Sequence, residues 1–463
     1  MRPIYSSTIR LVAAALLAFP GAAWGTTLYT QVTGADSGSC GPADSPCRTI
    51  SQAITNAAAG DTIAVGPGQY GSLNGDTDVL DAGEESSGVA GRMIVVSKEL
   101  ALIAPGGTGS VIISGAGVTG LTMLVSIESS GVVLGKKGKG FVVQGLTSAT
   151  GAAVSVDPAA SEVSIGGNVF KTNTQNNLVL DGSANAAKEN SFEDKVRVLG
   201  TGNVVQKNTI SNCSGELSVD GSDHIVAKNR FINGAVVLAA TSSAVEIKRN
   251  EFVGNCGSAA VQVMGGADHV FSANTITGRP SSNFSVLAGS NLQFLNNVTR
   301  AGLTGFYVVG PVANLTFIGN SATGHSNDGF FVQPLPVTNL TFEKNVAVGN
   351  SGLGFSVNQF LTATFIGNSA IGNGNGGIFI NGAAVLNGNN LFGNGAKSAA
   401  TFPNCAIAQI GLSLADATDN FWGAAAGPGA DPADDFCVNI TYVDATSPAA
   451  EAFKVKAAKA DPY

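Results

Sequence analysis

One six-residue pattern, repeated along the second half of the chain, decides the fold; its clearest copies are Gln293-Phe294-Leu295-Asn296-Asn297-Val298, Thr316-Phe317-Ile318-Gly319-Asn320-Ser321, Thr341-Phe342-Glu343-Lys344-Asn345-Val346 and Thr364-Phe365-Ile366-Gly367-Asn368-Ser369. In each copy a polar residue precedes a phenylalanine, and an asparagine follows three residues after that phenylalanine. Polar and apolar side chains alternate in this way along a strand with one buried face. The asparagine suits a bend, because its side chain tolerates a left-handed backbone. We therefore expect short strands, each followed by a bend.

The pattern extends well beyond these four copies. Its asparagine recurs at intervals of 18 to 25 residues, as Asn168, Asn190, Asn208, Asn229, Asn250, Asn274, Asn297, Asn320, Asn345, Asn368 and Asn389. Three residues earlier stands an unbroken apolar series: Val205, Val226, Ile247, Phe271, Phe294, Phe317, Phe342, Phe365 and Leu386. A period of this length without helical spacing indicates a solenoid, whose equivalent residues stack at the strand spacing of ~4.8 Å. The sequence thus predicts an internal apolar column and a ladder of asparagine amides.

Composition narrows the class of protein. Hydrophobic residues make up 44% of the 463 residues, which excludes general disorder. Charged residues make up only 12%, and a surface poor in charge favours β-structure covered by Asn, Ser, Thr and Gly. The 24 basic and 32 acidic residues give a net charge of −8, which argues against a nucleic-acid partner.

Residues 1–25 have the organisation of an export signal. Arg2 and Arg10 precede an apolar run at residues 11–19, and Ala23-Trp24-Gly25 fits a cleavage site. That run is too short to span a bilayer, and no later stretch approaches ~20 uninterrupted apolar residues. We therefore expect a protein with no membrane span that is secreted, periplasmic or held at the cell surface.

Six cysteines in an exported chain favour disulfides. Two pairs are predicted from the segments that they flank: Cys40 with Cys47, and Cys405 with Cys437. Cys213 and Cys256 occupy similar positions on two coils that have one further coil between them. Equivalent positions on such coils are ~9–10 Å apart. Because this exceeds the Cα separation that a disulfide bridges, we expect both thiols to be unpaired.

Both ends of the repeat carry sequences suited to covering a solenoid, whose unpaired edges would otherwise aggregate. Near the N-terminus, one face of a short predicted helix is apolar, and Gly60 follows it; the apolar residues are Ile50, Ala53, Ile54 and Ala57. Near the C-terminus, Asn420-Phe421-Trp422-Gly423 follows the last repeats, and Ser447-Pro448 favours the start of a short helix.

The repeat, the segments Cys47-Arg48-Thr49-Ile50 and Pro67-Gly68-Gln69-Tyr70, and the C-terminal Asn-Phe-Trp-Gly motif resemble the secreted right-handed parallel β-helix superfamily. This pectate-lyase-like fold occurs in pectate lyases, polygalacturonases, alginate epimerases and bacterial β-helix repeat proteins. The resemblance covers about residues 28–440. It implies an all-β chain, a right-handed parallel β-helix solenoid with a short N-terminal capping helix and a C-terminal cap. The expected divisions are a signal peptide (1–25), an N-terminal segment with the capping helix (26–60), the β-helix (61–440) and a tail (441–463).

The resemblance does not extend to the family's catalytic motifs. Two Asp-His pairs, Asp223-His224 and Asp268-His269, lack the residues that precede such a pair in pectate lyases. Both histidines occupy a position of the repeat that points inward in other coils, so we expect them to be structural. His325 matches the polygalacturonase Gly-His-Gly segment in its first two residues only. The fold alone therefore does not predict an enzymatic activity.

Enzymes of this superfamily work on the outward side of one strand ladder, and one part of that side carries charges on adjacent coils. The candidate catalytic residues are Asp181, Lys195, Arg197, Glu216 and Asp220. Lyase chemistry on uronates needs a base and cationic neutralisation of the carboxylate. No cofactor is certain, and Ca²⁺ held by the aspartates is the candidate. The alternative is a solvated ladder of ion pairs, which contributes little energy.

Further along, the outward positions become aromatic and amide-rich. The candidate glycan-binding residues are Tyr307, Phe331, Gln333, Asn358, Phe379 and Asn381. Aromatic rings cover the apolar faces of sugars, and amides reach their hydroxyl groups. The alternative is a strip covered by a loop such as Pro334-Leu335-Pro336.

A basic column, Lys207, Lys228 and Arg249, lies directly beside the asparagine ladder. Stacked like charges repel one another unless an anion relieves them. At a solvated bend, such side chains more often point apart.

Two functions from different classes follow. The first is an exported β-helix that binds polysaccharide, a cell-surface glycan or a surface partner along its outward strand face, as a monomer. The second is a polysaccharide-active enzyme, a uronate lyase, epimerase or glycoside hydrolase. The charged cluster favours the enzyme and the missing catalytic motifs favour the binding protein, so the sequence leaves catalysis undecided.

Overall fold

The computed structural model describes residues 25–71, 84–333, 338–395, 400, 402–410, 414–430, 432–438 and 443–455. The predicted export signal (residues 1–24 of 1–25) and the Pro334-Leu335-Pro336 loop lie outside these residues. Strands make up almost all regular structure, and the described residues contain one helix, Ile50–Asn56. Among the described residues, no helix has the length and apolar character needed to cross a membrane.

Each coil contributes up to three strands, which stack with equivalent strands of neighbouring coils into three parallel ladders. Ladder A contains Arg92–Val96, Met123–Ile127, Ala152–Val156, Asn176–Leu180, Lys195–Val198, Glu216–Val219, Ala235–Leu238, Val261–Val263, Phe284–Val286, Phe306–Val308, Phe330–Val332, Cys405–Gln409 and Asp435–Cys437. Two longer strands, Leu353–Ile366 and Gly376–Asn387, run through ladders A and B and join them into one sheet. This stacking confirms the predicted right-handed parallel β-helix.

Ladders B and C complete the coil. Ladder B contains Thr27–Thr30, Thr62–Val65, Ala101–Ile103, Val133–Leu134, Ser164–Gly166, Ala186–Lys188, Val204–Gln206, Ile225–Ala227, Glu246–Lys248, Val270–Ser272, Gly289–Leu295, Val312–Ile318, Leu340–Glu343, Ala415–Asp416 and Val443–Asp444. Ladder C contains Gly68–Gly71, Val111–Ser114, Val142–Gln144, Val169–Lys171, Ser191–Phe192, Thr209–Ser211, Arg230–Ile232, Glu251–Val253, Thr275–Thr277, Val298–Arg300, Ser321–Thr323, Val346–Val348, Ser369–Ile371 and Asn390–Phe392.

In the coils from Phe271 to Phe365, the core is a double stack of phenylalanine rings. The predicted ladder B column is fully buried, with ring centroids 4.7 Å apart for Phe271–Phe294 and 4.9 Å apart for Phe294–Phe317. A second column, which the sequence reasoning missed, comes from ladder A and meets the first edge to face; its members are Phe284, Phe306, Phe330 and Phe355. Stacked and edge-to-face contacts are both favourable for aromatic quadrupoles.

The predicted asparagine ladder follows the bend between ladders B and C. From Asn168 to Asn389, each side-chain Nδ2 donates to the Oδ1 of the asparagine one coil further on, as in Asn297 to Asn320 at 3.0 Å. The same Oδ1 also accepts a backbone N–H, such as that of Asn297 onto Asn320 at 2.9 Å. Asn420, from the C-terminal motif, is the last member. The ladder therefore satisfies buried polar groups that each bend would leave unpaired.

The two Asp-His histidines belong to a second, shorter ladder. The His224 Nδ1 accepts the backbone N–H of Asn203 at 3.1 Å, just as the Asn203 Oδ1 accepts that of Asn185 at 2.8 Å. The His269 Nδ1 accepts the N–H of Val245 at 3.2 Å. Each imidazole thus stands where an asparagine amide would stand and must be neutral to accept. Both histidines are fully buried.

This arrangement predicts sensitivity to acid. Burial lowers the pKa of His224 and His269 below the ordinary value of 6.5. Because the folded-state pKa is lowered, the stabilisation is present above the unfolded pKa and is lost as pH falls from ~6.5 through the folded value. The variant His224→Asn/His269→Asn should therefore lose less stability than the natural sequence between pH 7 and pH 5 in urea melts. An equal loss in both proteins would contradict the ladder role.

The helix Ile50–Asn56 packs its predicted apolar face inward, with Ile50 and Ala53 fully buried. Thr49 caps its first turn by accepting the Gln52 N–H, and the Lys98 Nζ donates to carbonyls of its last turn, including that of Ala57 at 2.7 Å. Strand Thr27–Thr30 already pairs with Thr62–Val65, so ladder B begins within the segment assigned to residues 26–60. In the tail, the described residues 443–455 contain the strand Val443–Asp444 and no helix.

The disulfides include both predicted pairs, Cys40–Cys47 and Cys405–Cys437. The prediction that Cys213 and Cys256 are unpaired is wrong, because they form a third disulfide with Cα atoms 5.6 Å apart. The coil between them turns from ladder C to ladder A through Asn233 and Gly234 alone, whereas the flanking coils use residues 212–215 and 254–260. The two longer loops therefore meet over the short one, with no intervening strand to hold them apart.

Candidate functional site

The outward face of ladder A is the candidate site, because it carries both groups of residues that the sequence singled out. Its strands alternate inward apolar residues with outward ones, as in Lys195–Val198, where Lys195 and Arg197 are exposed. The parallel register aligns one outward residue per coil in a single column. From the N-terminal side that column reads Val179, Arg197, Ser218, Val237, Gln262, Ser285, Tyr307, Phe331, Ser356, Phe379 and Ala408.

The charged candidates lie together at one end of this face. The register pairs Val196 with Leu217 and Arg197 with Ser218 on adjacent coils. Lys195 and Glu216 directly precede the first of these pairs. Among the described residues, no ion pair within 4.0 Å involves any of the five predicted catalytic residues. The Asp220 Oδ1 accepts the Thr241 hydroxyl at 2.6 Å and the Gly221 N–H at 2.8 Å, and the Asp181 Oδ1 accepts the Gly182 N–H at 2.7 Å. Both aspartates thus stabilise the bend that follows their strand.

The aromatic candidates form ring pairs further along the face. Tyr307 and Phe331 stack with centroids 5.2 Å apart and an interplanar angle of 17°. Phe379 stacks on Phe402 at 5.8 Å and 26°. Ser356 separates the two pairs and is only 4% exposed. The rings therefore flank and cover this serine, and together they make an outward apolar strip. We call Tyr307, Phe331, Phe379 and Phe402 the aromatic strip.

Sequence reasoning missed Phe402. It lies outside the strands, three residues before Cys405, in a segment without the repeat pattern. The signal that could have found it is its closeness to a cysteine of the predicted Cys405–Cys437 pair, which holds that segment against the last coils.

Amide side chains border the aromatic strip. Asn358 and Asn381 are register partners on adjacent coils, and both are half-buried. Gln333 directly follows strand Phe330–Val332 and is exposed. Each amide lies two residues after an outward residue of the same coil, which is Phe331, Ser356 or Phe379. The amides and the rings therefore point to the same side of the sheet.

The strongly perturbed acids and bases lie elsewhere. Burial raises the pKa of Glu85 to about 7, although Ser51 donates to it, and raises the pKa of Asp328 to about 6. Burial lowers the pKa of His325 to about 4. His325 and Asp328 are 1% and 6% exposed, so the loop that resembled Gly-His-Gly presents neither side chain to a substrate.

A metal site gains no support from the described residues. The only group there with three potential ligand atoms within 4.8 Å of one another is Asp36, Cys40 and Cys47, and its cysteines form a disulfide. The Asp36 Oδ1 already accepts the N–H groups of Arg48 and Thr49. Calcium prefers six to eight oxygen ligands, which this group does not supply.

Comparison with known structures gives distant likenesses. The chain is similar to the Dettilon tailspike protein at 11% identity, covering 84% of this chain and 68% of that chain with a TM-score of 0.43. It is similar to the A-module of the Azotobacter vinelandii mannuronan C-5 epimerase AlgE6 at 13% identity (74% and 92% covered, TM-score 0.34). It is also similar to pectate lyase Pel9A at 13% identity (68% and 78% covered, TM-score 0.29). No curated protein matches the chain.

Comparison with family models is more decisive. Residues 32–87 match a family described as a protein of unknown function, DUF1565. The family described as "Right handed beta helix region" matches residues 129–276 and 235–396. Because these two ranges together span residues 129–396, more than half of the 463 residues, the chain belongs to the right-handed β-helix family.

Proposed function

We propose that this is an exported protein that binds an extended polysaccharide or cell-surface glycan along the outward face of ladder A. One observation carries the proposal: the aromatic strip presents stacked rings on the same face as a row of amides. Apolar side chains do not gain by lying outward in water, and an exposed apolar strip bordered by polar groups is typical of a binding surface.

The chemistry of the strip fits a sugar. The C–H faces of a pyranose ring are apolar and pack on aromatic rings, while its equatorial hydroxyl groups need donors and acceptors at the side. The Gln333, Asn358 and Asn381 amides offer both. Because coils repeat every ~4.8 Å, a linear polymer that runs along the helix axis meets a similar set of contacts on each coil.

Export has independent support. The structure contains three disulfides, which persist in oxidising compartments and are rare in the cytosol. They sit near the N-terminal helix, over the middle coils and at the C-terminal end, so they hold the solenoid at three separate places.

Phe331→Ala tests the proposal, because it removes one ring of the Tyr307–Phe331 pair without opening the core. The affinity for the best ligand in a panel of neutral and uronate-containing polysaccharides should fall about tenfold, or ~1.4 kcal/mol, by calorimetric titration. Ile366→Ala is the control, since Ile366 is an exposed apolar residue of ladder B, away from the proposed binding face. Equal affinities in all three proteins would overturn the proposal.

A second candidate is the polysaccharide-active enzyme, and the unpaired charges on adjacent coils favour it. Lys195 and Arg197 could neutralise a uronate carboxylate, while Glu216 or Asp220 moves a proton or, with Asp181, holds Ca²⁺. The same panel, run with and without calcium and read by the absorbance of unsaturated products and by reducing ends, separates the two candidates. Turnover that Lys195→Ala/Arg197→Ala abolishes identifies the enzyme. Absence of turnover, with graded losses of affinity, identifies the binding protein.

A further inference from the structure

The residue directly before each ladder asparagine occupies a left-handed bend between ladders B and C. Most later coils place glycine or asparagine there, as with Gly319 (φ 67°) and Asn296 (φ 55°). Three consecutive coils instead place Lys207 (φ 57°), Lys228 (φ 56°) and Arg249 (φ 54°). A left-handed backbone costs a non-glycine residue on the order of 1 kcal/mol or more, so folding alone does not favour these side chains.

The backbone also holds these three charges close together. The N–H of Lys207 donates to the Ala227 carbonyl, that of Lys228 to the Lys248 carbonyl at 3.1 Å, and that of Arg249 to the Ser272 carbonyl at 2.9 Å. The side chains therefore leave the same bend one strand spacing apart, ~4.8 Å. Like charges at this distance repel one another. The cost of the left-handed backbone and the repulsion between like charges thus coincide on three successive coils.

More cations surround them on the same bend, and we call the whole set the basic ridge. Its members are Lys136, Lys137, Lys139, Lys188, Lys207, Lys228, Arg230, Lys248 and Arg249. The loop that holds the first three packs against Gly167 of the same column. Three carboxylates lie among them: Glu189, Glu246 and Glu251. The ridge is therefore strongly positive in a protein whose net charge is −8.

The carboxylates neutralise only part of the ridge. Glu189 lies 3.6 Å from the Lys207 Nζ and 3.9 Å from that of Lys137. Within the described ranges, no carboxylate oxygen lies within 4.0 Å of Lys228 or Arg249. Arg249 is exposed and Lys228 is partly exposed. The positive charges at the centre of the ridge are therefore not neutralised by neighbouring carboxylates.

We propose that the basic ridge binds an acidic polysaccharide, a chain with carboxylate or sulfate groups that runs along the helix axis. A linear array with one cation per coil fits a polymer with regularly spaced anions better than it fits a compact ligand. Nucleic acid is disfavoured because the ridge contains no aromatic residue on which bases could stack. A membrane surface is disfavoured because the ridge is a narrow bend without apolar residues to insert. This site lies on a different side of the coil from the aromatic strip and does not depend on it.

The test uses the triple variant Lys207→Gly/Lys228→Gly/Arg249→Gly of the full chain. Glycine prefers the left-handed bend, so the variant should be at least as stable as the natural protein, and a loss of binding does not reflect unfolding. The probes are polygalacturonate, dextran sulfate, uncharged dextran, single-stranded DNA and phosphatidylglycerol vesicles. We expect the natural protein to bind at least one acidic polymer and not dextran, with an affinity that falls as salt rises. The triple variant should bind at least tenfold more weakly, with a shallower salt dependence.

Lys344→Gly is the matched control. Lys344 has the same bend position and backbone (φ 56°) but lies beyond the ridge and pairs with Glu343. This variant, and Phe331→Ala, should bind the acidic polymers as the natural protein does. Unchanged affinity in the triple variant, equal binding of dextran, or binding confined to single-stranded DNA or to phosphatidylglycerol vesicles would each overturn the proposal. Failure of the aromatic strip to bind any glycan would leave these expected results unchanged.

Discussion

Phe317→Ala should lower the free energy of unfolding by ~3–5 kcal/mol, because it opens a cavity in the buried double stack of phenylalanine rings. The Phe317 ring is fully buried between Phe294 and Phe342, with centroids 4.9 and 5.0 Å away. It also meets the rings of Phe306 and Phe330 edge to face. Stacked coils cannot close the gap, since backbone hydrogen bonds fix their separation on both sides.

Urea melts followed by circular dichroism measure this loss. Thr316→Ala is the control, because Thr316 precedes Phe317 on the same strand and points outward; its effect should stay within about 0.5 kcal/mol. A loss below ~1 kcal/mol for Phe317→Ala would contradict a tightly packed double column.

Asn297→Ala should be destabilising to a similar extent, about 3–5 kcal/mol, through hydrogen bonds rather than volume. The Asn297 Oδ1 accepts two hydrogen bonds from Asn274, one from its backbone N–H at 3.0 Å and one from its side-chain Nδ2 at 2.9 Å. The Asn297 Nδ2 donates to the Phe271 carbonyl at 2.8 Å and to the Asn320 Oδ1 at 3.0 Å. Alanine leaves several of these partners buried without a bond, and each such group costs ~1–3 kcal/mol.

Gln293→Ala serves as the control for this ladder variant, since Gln293 is an exposed amide on the preceding strand and has no ladder role. Melts in which Asn297→Ala and Gln293→Ala unfold at the same urea concentration would show that the ladder contributes no net stability. Hydrogen exchange offers a local check, because the Asn274 N–H should lose protection in the Asn297→Ala variant.

The fold could be predicted because one short segment keeps a constant phase. Each ladder B apolar residue stands three positions before its asparagine, so the inward column appears directly in the sequence. The ladder A column is not visible in the sequence, because its distance from the asparagines varies. Its members stand 13 to 15 residues before their asparagines: Phe284, Phe306, Phe330 and Phe355. The bend between ladders A and B varies in length, and this variation removes the constant phase by which a column is recognised.

The Cys213–Cys256 disulfide was missed for a related reason. Its prediction assumed that every coil follows the same path at the bend from ladder C to ladder A. The middle coil shortens that bend to Asn233 and Gly234. Period alone does not reveal which bend of a coil has lost residues, so the distance between the cysteines could not be derived.

The candidate site could be predicted in part. Strand alternation identified Tyr307, Phe331 and Phe379 as outward residues, and their partial exposure in the structure agrees with this. Phe402 could not be predicted, since its position depends on a loop rather than on the repeat. The basic column was visible in the sequence, but the left-handed backbone that makes it costly emerged only from the structure.

Hydroxyl-radical footprinting, read residue by residue by mass spectrometry, tests the central claim most directly. The protein is labelled alone and with a saturating amount of the polysaccharide that binds best in the panel. The account predicts that Tyr307, Phe331 and Phe379 become protected on binding, while exposed residues away from ladder A, such as Ile366 of ladder B, keep their labelling. Unchanged labelling of all three rings at saturation, with protection confined to other faces of the coil, would contradict it.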